Sequence, residues 1–348
     1  MADFSYGKLL HGQEDTMRAA WTRWNGQAVD LDLGDGLPAG GFPRKARTLA
    51  RPVTVRGPGT FMGKSVRTVT FEPYELPGWW FERSDLADVL PFAASARNVW
   101  TTGDIVSNIV LRAGPPHNYV RMVEHIVALK IGLGLDNVLV RIDSGDPPLF
   151  NRGSLELVEA LESSGLREMD GPARFLTVRE PVSACSANGS FVALFPPEHR
   201  ERPELQVDCA IDFTTAIGKQ RLRMVVQPEH FRTGATARTN SSALKMVYCR
   251  TIGKLFADIR NLGYTSDNLL IAGRRKYYNE PRLLHGGKSL EAVWHRAALD
   301  LLAALALIEE GQFVGRVVSY KAGHTLDVEL IRQLYKHRLL VDLPESGA

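Results

Sequence analysis

An α+β fold in two successive units is what the chain predicts, and three observations carry the prediction. Stretches with alternating apolar and polar side chains recur along it, the mark of half-buried strands. Each series of such stretches gives way to segments whose apolar residues return at helical spacing. Gly171-Pro172 then interrupts the chain near its middle, and beyond it strands followed by helices begin again, which points to an internal structural duplication. At 348 residues the chain is long for one core and suggests two domains. The expected divisions are a flexible N-terminal extension over residues 1–45, a first α+β domain over 46–172, a second over 173–342 and a tail over 343–348.

Within the extension, residues 13–24 have the pattern of a short amphipathic helix and residues 34–43 form a Gly/Pro-rich connector, so its expected role is a docking arm or loose leader. Residues 48–55 and 66–71 read as a hairpin around the turn Gly57-Pro58-Gly59. Further strands are expected at 79–83, 108–111 and 138–142, with helices from Met122 to Leu133 and over residues 154–164. Beyond the hinge, strands are expected at 175–178, 190–195, 205–213, 221–227 and 268–272. A long helix fits residues 241–262, with Leu244, Tyr248, Ile252, Leu255, Ile259 and Leu262 on one face. Another fits 290–310, started by Ser289 and stopped by Gly311, and a last one fits 326–336.

Composition narrows the function classes. Lysine and arginine number 42 against 39 acids, a net charge of +3, so no polycationic surface argues for nucleic acid. Cys185, Cys209 and Cys249 are far apart and form no Cys-x-x-Cys pair, which fits a reducing compartment and no thiolate zinc site. The N-terminus carries Asp3, Glu14 and Asp15 rather than an apolar signal segment. The longest apolar run, 299–308, is interrupted by Asp300 and too short to span a bilayer, so a cytoplasmic location is expected.

Chemistry concentrates at Glu124-His125. Met122, Ile126, Leu129 and Leu133 form one apolar stripe, so a helix here carries a carboxylate and an imidazole into a core beside it. Burying that pair is costly unless each group has a partner, and a bound cation with an activated water would satisfy both. A solvated glutamate beside a core histidine is the plain alternative.

The same helix leads into Gly134-Leu135-Asp136-Asn137, and two later segments keep it company: Val293-Trp294-His295-Arg296 at the start of a helix, and Ser319-Tyr320-Lys321-Ala322-Gly323-His324. In this order the three motifs resemble the zinc-dependent deacetylases that act on UDP-3-O-acyl-N-acetylglucosamine, the committed step of lipid A synthesis in Gram-negative bacteria. The resemblance runs from about Arg47 to about Leu340. It implies two similar domains, each a β-sheet layer with a pair of helices, packed with the helices between the sheets as in ribosomal S5 domain 2, and closing over a cleft. It also implies hydrolysis of an acetamido group on a UDP-linked acylated amino sugar, with Zn2+ or Fe2+ as cofactor.

By the resemblance His125 is a metal ligand and Glu124 the general base, and adjacent helical residues diverge by about 100°, which sets the base apart from the ligand. His295 resembles the second ligand. The family's third is an aspartate four residues on, whereas this chain has Leu299 there and Asp300 one place later. In a regular α-helix that carboxylate sits roughly 140° around the axis from His295. One extra residue is also what a π-bulge accommodates, and that assigns Asp300 as third ligand; otherwise the site has two histidines only. Arg296 stands where relatives have a phosphate-binding lysine, and its alternative is a helix-surface charge.

His324 resembles the family's acid and oxyanion-stabilising histidine. The aspartate that normally orients it, on the His295 helix, is replaced by Ala303 and Ala304. Phe61 replaces a histidine, and Asn151-Arg152-Gly153-Ser154 replaces a Met-Asp-Gly-Ser turn. The family's substrate-contacting threonine has two candidates, Thr239 in Ala237-Arg238-Thr239-Asn240 and Thr251 in Arg250-Thr251-Ile252-Gly253. Two alternatives to this deacetylase stay open: a family member with weakened catalysis that serves as a binding or regulatory protein, and a zinc deacetylase with a different sugar substrate.

Overall fold

Alternation sends Val69 and Phe71, Trp79 and Phe81, and Val138 and Val140 into one buried layer. In this computed structural model, which describes residues 6–34, 44–103, 107–200, 203–242, 262–309 and 311–343, those residues lie on three strands of a five-stranded sheet. Its strands are β1 (Val53–Pro58), β2 (Val66–Pro73), β3 (Trp79–Arg83), β4 (Phe92–Ala93) and β5 (Val138–Ile142), in the spatial order β1-β2-β5-β3-β4. Helix α1 (Glu124–Gly132) precedes β5, and α2 (Leu155–Ser164) follows it. The opposite face is polar: Arg141 on β5 reaches Glu72 on β2 and Glu82 on β3.

The second unit repeats the wiring. Strands β6 (Val182–Cys185), β7 (Phe191–Phe195), β8 (Leu205–Asp212), β9 (Lys219–Val225) and β10 (Gly315–Tyr320) lie in the order β6-β7-β10-β8-β9, so again the last strand is inserted at the centre, parallel to the third. The helix before β10 is built in three parts, α4 (Glu291–Trp294), a π turn (His295–Asp300) and α5 (Leu301–Ala306); α6 (His324–Lys336) follows β10. Strand order and the placement of a helix on either side of the central strand are thus the same in the two sheets. An additional helix, α3 (Pro228–Ala235), sits between β9 and the strand Thr239–Ser242.

Unlike the first sheet, the second is buried on both faces. Val192 and Leu194 face the main core, which runs without a break through α1, the π turn and α5 to the first sheet. Phe191, Ala193 and Phe195 face the other way, onto Met17, Ala20 and Trp24 of an N-terminal helix, Glu14–Asn25. Where the sequence suggested a flexible leader, residues 6–34 are thus folded onto the second sheet: strands Lys8–His11 and Leu31–Leu33 extend its two edges, each parallel to its neighbour. A full run of buried apolar residues in β7 is what a strand covered on both faces requires.

Several expected elements differ in detail. Residues 48–55 break into Lys45–Leu49 and β1 at Arg51-Pro52, since proline brings no N–H to a ladder. Gly171-Pro172 closes a strand, Leu166–Pro172, paired with Lys45–Leu49. The last helix begins at His324 itself. Ser241 and Ser242 belong to a strand paired with Leu269–Ala272, and the rest of the long helix expected over 241–262, with Thr251 and Cys249, lies outside the described residues. Cys185 and Cys209 are free and buried. No helix of the described residues is long and apolar enough to cross a membrane.

Close packing brings the two units' helices together. A Cβ placed on Gly132, at the end of α1, would lie 2.2 Å from the buried Phe231 ring of α3, and one on Gly234 of α3 would lie 2.3 Å from Ala298 Cβ in the π turn. Glycine therefore serves here through what it leaves out. At an unencumbered helical position Gly→Ala stabilises by about 0.5–1 kcal/mol, whereas overpacking costs about 1–3 kcal/mol. Gly132→Ala is accordingly expected to lower the urea midpoint. Trp24, with the Arg221 guanidinium 4.3 Å above its ring, is a core residue of the N-terminal helix, and Trp24→Ala is expected to cost about 3–5 kcal/mol in the same measurement.

Candidate active site

Glu124 and His125 are the first two residues of α1, and the chain enters that helix through an unusual turn. Met122 adopts φ 53°, a left-handed conformation that a side-chain-bearing residue takes only when its surroundings hold it there. Glu124 Oε2 accepts the Ile109 N–H at 3.0 Å, which fixes the carboxylate from behind. Its other oxygen lies 3.9 Å from His324 Nε2. Burial pushes the Glu124 carboxyl up from its ordinary value, while His324 and the Ile109 N–H pull it down. A carboxylate raised by burial is a stronger base than one in water.

His125 is oriented by the N-terminal residue of another helix. Its Nδ1 shares a 3.0 Å hydrogen bond with Ser154 Oγ, which stands just before α2, and the Ser154 N–H is itself held by Ala235 O of α3 at 2.8 Å. Burial, and next the neighbouring His295, lower the His125 pKa to about 3. The ring is therefore neutral at physiological pH, the form that binds metals.

The π turn answers the spacing problem posed by Leu299 and Asp300. The Leu301 N–H bonds to Arg296 O, five residues back, and this wider turn accommodates one extra residue. Asp300 Oδ1 consequently comes to 3.4 Å from His295 Nδ1 and 3.6 Å from His324 Nε2. Buried alone, the Asp300 carboxyl would be raised; the two imidazoles outweigh burial and hold it well below the ordinary carboxylate range. Its Oδ1 has no hydrogen-bond partner among the described residues. Leu299 points into the apolar core instead.

Thr239 Oγ1 and His295 Nε2 share a 3.0 Å hydrogen bond. The strand carrying Thr239 is fixed by the preceding Arg238, whose buried ion pair with Glu291 of α4, 2.7 Å, ties it one helical turn ahead of His295. The His125 and His295 rings meet edge to face, 5.5 Å between centroids and 65° between planes. Five of the residues picked from sequence, Glu124, His125, His295, Asp300 and His324, are thus brought together, with Thr239 directly behind.

Arg296 is placed otherwise. It is buried, and its guanidinium donates to Asp327 at 2.6 Å and Ser319 at 3.2 Å, so a helix-surface charge is ruled out and the phosphate contact implied for it has no support in this placement. Phe61 lies under the Arg121 guanidinium at 4.2 Å. Sequence reasoning passed over Ser154 as an orienting group, and Asp327 altogether. The signal for Asp327 was its place three residues after His324, one turn along the same helix. A cavity of about 780 Å³ lies elsewhere, among Trp80, Met169 and Phe175, and holds none of these side chains.

A divalent cation is compatible with this donor set. Two donors bound tetrahedrally at about 2.0–2.1 Å stand roughly 3.3 Å apart, and His295 Nδ1 and Asp300 Oδ1 are separated by 3.4 Å. Both histidines tie one ring nitrogen to a hydroxyl, the usual support for a ligating imidazole. Among the described residues no group of three His, Cys, Asp or Glu stands close enough together to hold an ion by itself.

Comparison with known proteins gives the family. The chain is 26% identical to the UDP-3-O-acyl-N-acetylglucosamine deacetylase of Solibacter usitatus over 289 residues, 82% of this chain and 90% of that one. It is 29% identical over 293 residues to the enzyme of the same name from Glaesserella parasuis, covering 83% and 89%. With that of Brucella ovis the figure is 27% over 301 residues, covering 86% and 98%. Residues 46–336, from the first sheet to the end of α6, match the family's own pattern, and on that extent the chain belongs to the UDP-3-O-acyl N-acetylglycosamine deacetylase family.

Proposed function

We propose that this chain removes the N-acetyl group of UDP-3-O-acyl-N-acetylglucosamine, the substrate its relatives are named for, as a cytoplasmic step of lipid A biosynthesis. The observation that carries the reading is the π turn at His295–Asp300, which puts a carboxylate where the spacing in sequence would have lost it. His125, His295 and Asp300 would hold Zn2+, or Fe2+ in its place. The bound ion would supply a water of lowered pKa and polarise the amide carbonyl.

Everything else falls to the protein's own groups. Glu124, raised by burial and steadied by Ile109, takes the proton of the attacking water. His324, with Nε2 turned toward Glu124 and Asp300, stabilises the oxyanion and passes a proton to the departing amine. Thr239 holds His295 from behind and lines a small cavity with Thr60, Met122, His125 and Phe150, a position from which it would contact substrate. A family member that binds without turning over is the second reading, favoured by the lack of a carboxylate at Ala303 and Ala304 and of a preformed three-ligand cluster among the described residues.

Metal analysis of purified protein is expected to find about one zinc or ferrous ion per chain, lost in His125→Ala. No ion in the parent protein, even after added zinc, would favour the second reading. Glu124→Ala is expected to keep the ion while amide cleavage falls by roughly 10²–10⁴; full activity in that variant would remove Glu124 from the role of base.

A further inference from the structure

The buried ion pair behind the site has its own place in the mechanism. Asp327 lies on α6 three residues after His324, so both side chains leave the same face of its first turn. One carboxylate oxygen is held by Arg296 Nη2 at 2.6 Å; the other, Oδ2, is buried without a hydrogen-bond partner among the described residues. His324 shows the complementary deficit. Nε2 is aimed at Asp300 and Glu124, while Nδ1 is buried and equally without a partner. An open acceptor and an open ring nitrogen within one helical turn are each costly alone, and both are relieved by joining. No other carboxylate comes from the His295 helix at this level, where Ala303 and Ala304 are buried.

We infer that Asp327, clamped by Arg296, is the positioning residue for His324: its free oxygen takes the Nδ1–H, which turns Nε2 toward Glu124 and Asp300. Arg296 then acts through Asp327 and not through substrate. Because Arg296 adjoins His295, the clamp also fixes α6 against the π turn, so ring orientation and ligand spacing depend on one guanidinium. The inference rests on the deacetylase reading for its consequence in catalysis, but its geometry can be examined without turnover.

Two measurements test it. In the metal-loaded protein, Asp327→Asn is expected to lower kcat by roughly ten- to a hundredfold, with KM within about twofold and metal content unchanged, and Asp327→Glu is expected to recover part of the loss. Arg296→Gln/Asp327→Asn, which removes both charges, is expected to regain thermal stability relative to Arg296→Gln but not kcat. Recovery of both would mean that Asp327 only balances a buried charge, and would overturn the proposal. In protein labelled with ¹⁵N-histidine, a downfield Nδ1 proton signal protected from exchange, assigned by its loss in His324→Gln, is expected in the parent chain and absent in Asp327→Asn. Its absence from the parent, or its persistence in Asp327→Asn, would overturn the proposal whether or not the protein turns over substrate. A parent protein that shows the signal but no deacetylation would instead refute the functional reading alone.

Discussion

The structure depends on one seam, where α1 of the first unit packs against the π turn and α5 of the second. Glu124, His295 and His324 are buried in it and His125 and Asp300 half-buried, groups that are individually expensive to remove from water. They are tolerable together because each has a polar neighbour: Asp300 between the His295 and His324 rings, Glu124 beside His324 and the Ile109 N–H, His125 on the Ser154 hydroxyl. Holding helices this close demands small side chains. Gly132, Gly234, Ala297 and Ala298 provide them, and α3 contacts both partners, meeting α1 through Phe231 and the π turn through Gly234.

The repeated topology explains why these residues meet. In each unit one helix precedes the central strand and one follows it. The preceding helices supply Glu124 and His125 on one side and His295 and Asp300 on the other. The following helices contribute from their first residues, Ser154 ahead of α2 and His324 at the start of α6. Three helix N-termini, those of α1, α2 and α6, therefore deliver residues to the same site. Their dipoles favour negative charge there by about 0.3–1 kcal/mol each when exposed, and more when partly buried.

Much of this was legible from the residues. Four strands of the first sheet, the Glu124-His125 helix and the three ordered motifs could be read directly, because period and order are local properties, whereas the two-residue β4 is too short to show a period. Asp300 was readable only conditionally: counting residues gives the wrong face of an α-helix, and it is the i→i+5 bond to Arg296 that restores it. Strands β6 and β10 escaped, the former because Val182-Ser183-Ala184-Cys185 has little alternation and the latter because it is buried throughout its centre. Helix α3 escaped because it is short, begins at a proline and carries Gly234, a combination that reads as loop. The partner of Arg296 was invisible, since nothing local to position 296 announces Asp327 on a helix that begins beyond the next strand.

The N-terminal segment shows how a part outside the family's matched extent still bears on the chemistry. Its helix covers the face of the second sheet that carries Val318 and Tyr320 of β10, while Val317 and Ser319 of the same strand face inward, Ser319 reaching Arg296. β10 thus has no face free to move. It ends at Lys321, whose φ of 53° turns the chain and whose N–H is held by Ala210 of β8 at 2.9 Å, and three residues later the chain reaches His324. The facing helix gives this histidine a carboxylate only on its Nε2 side, Asp300, so Nδ1 needs another means of holding the ring. The doubly covered strand fixes the root of α6, and Arg296 and Asp327 hold its first turn, so the ring's position is set by groups outside the seam in which it works.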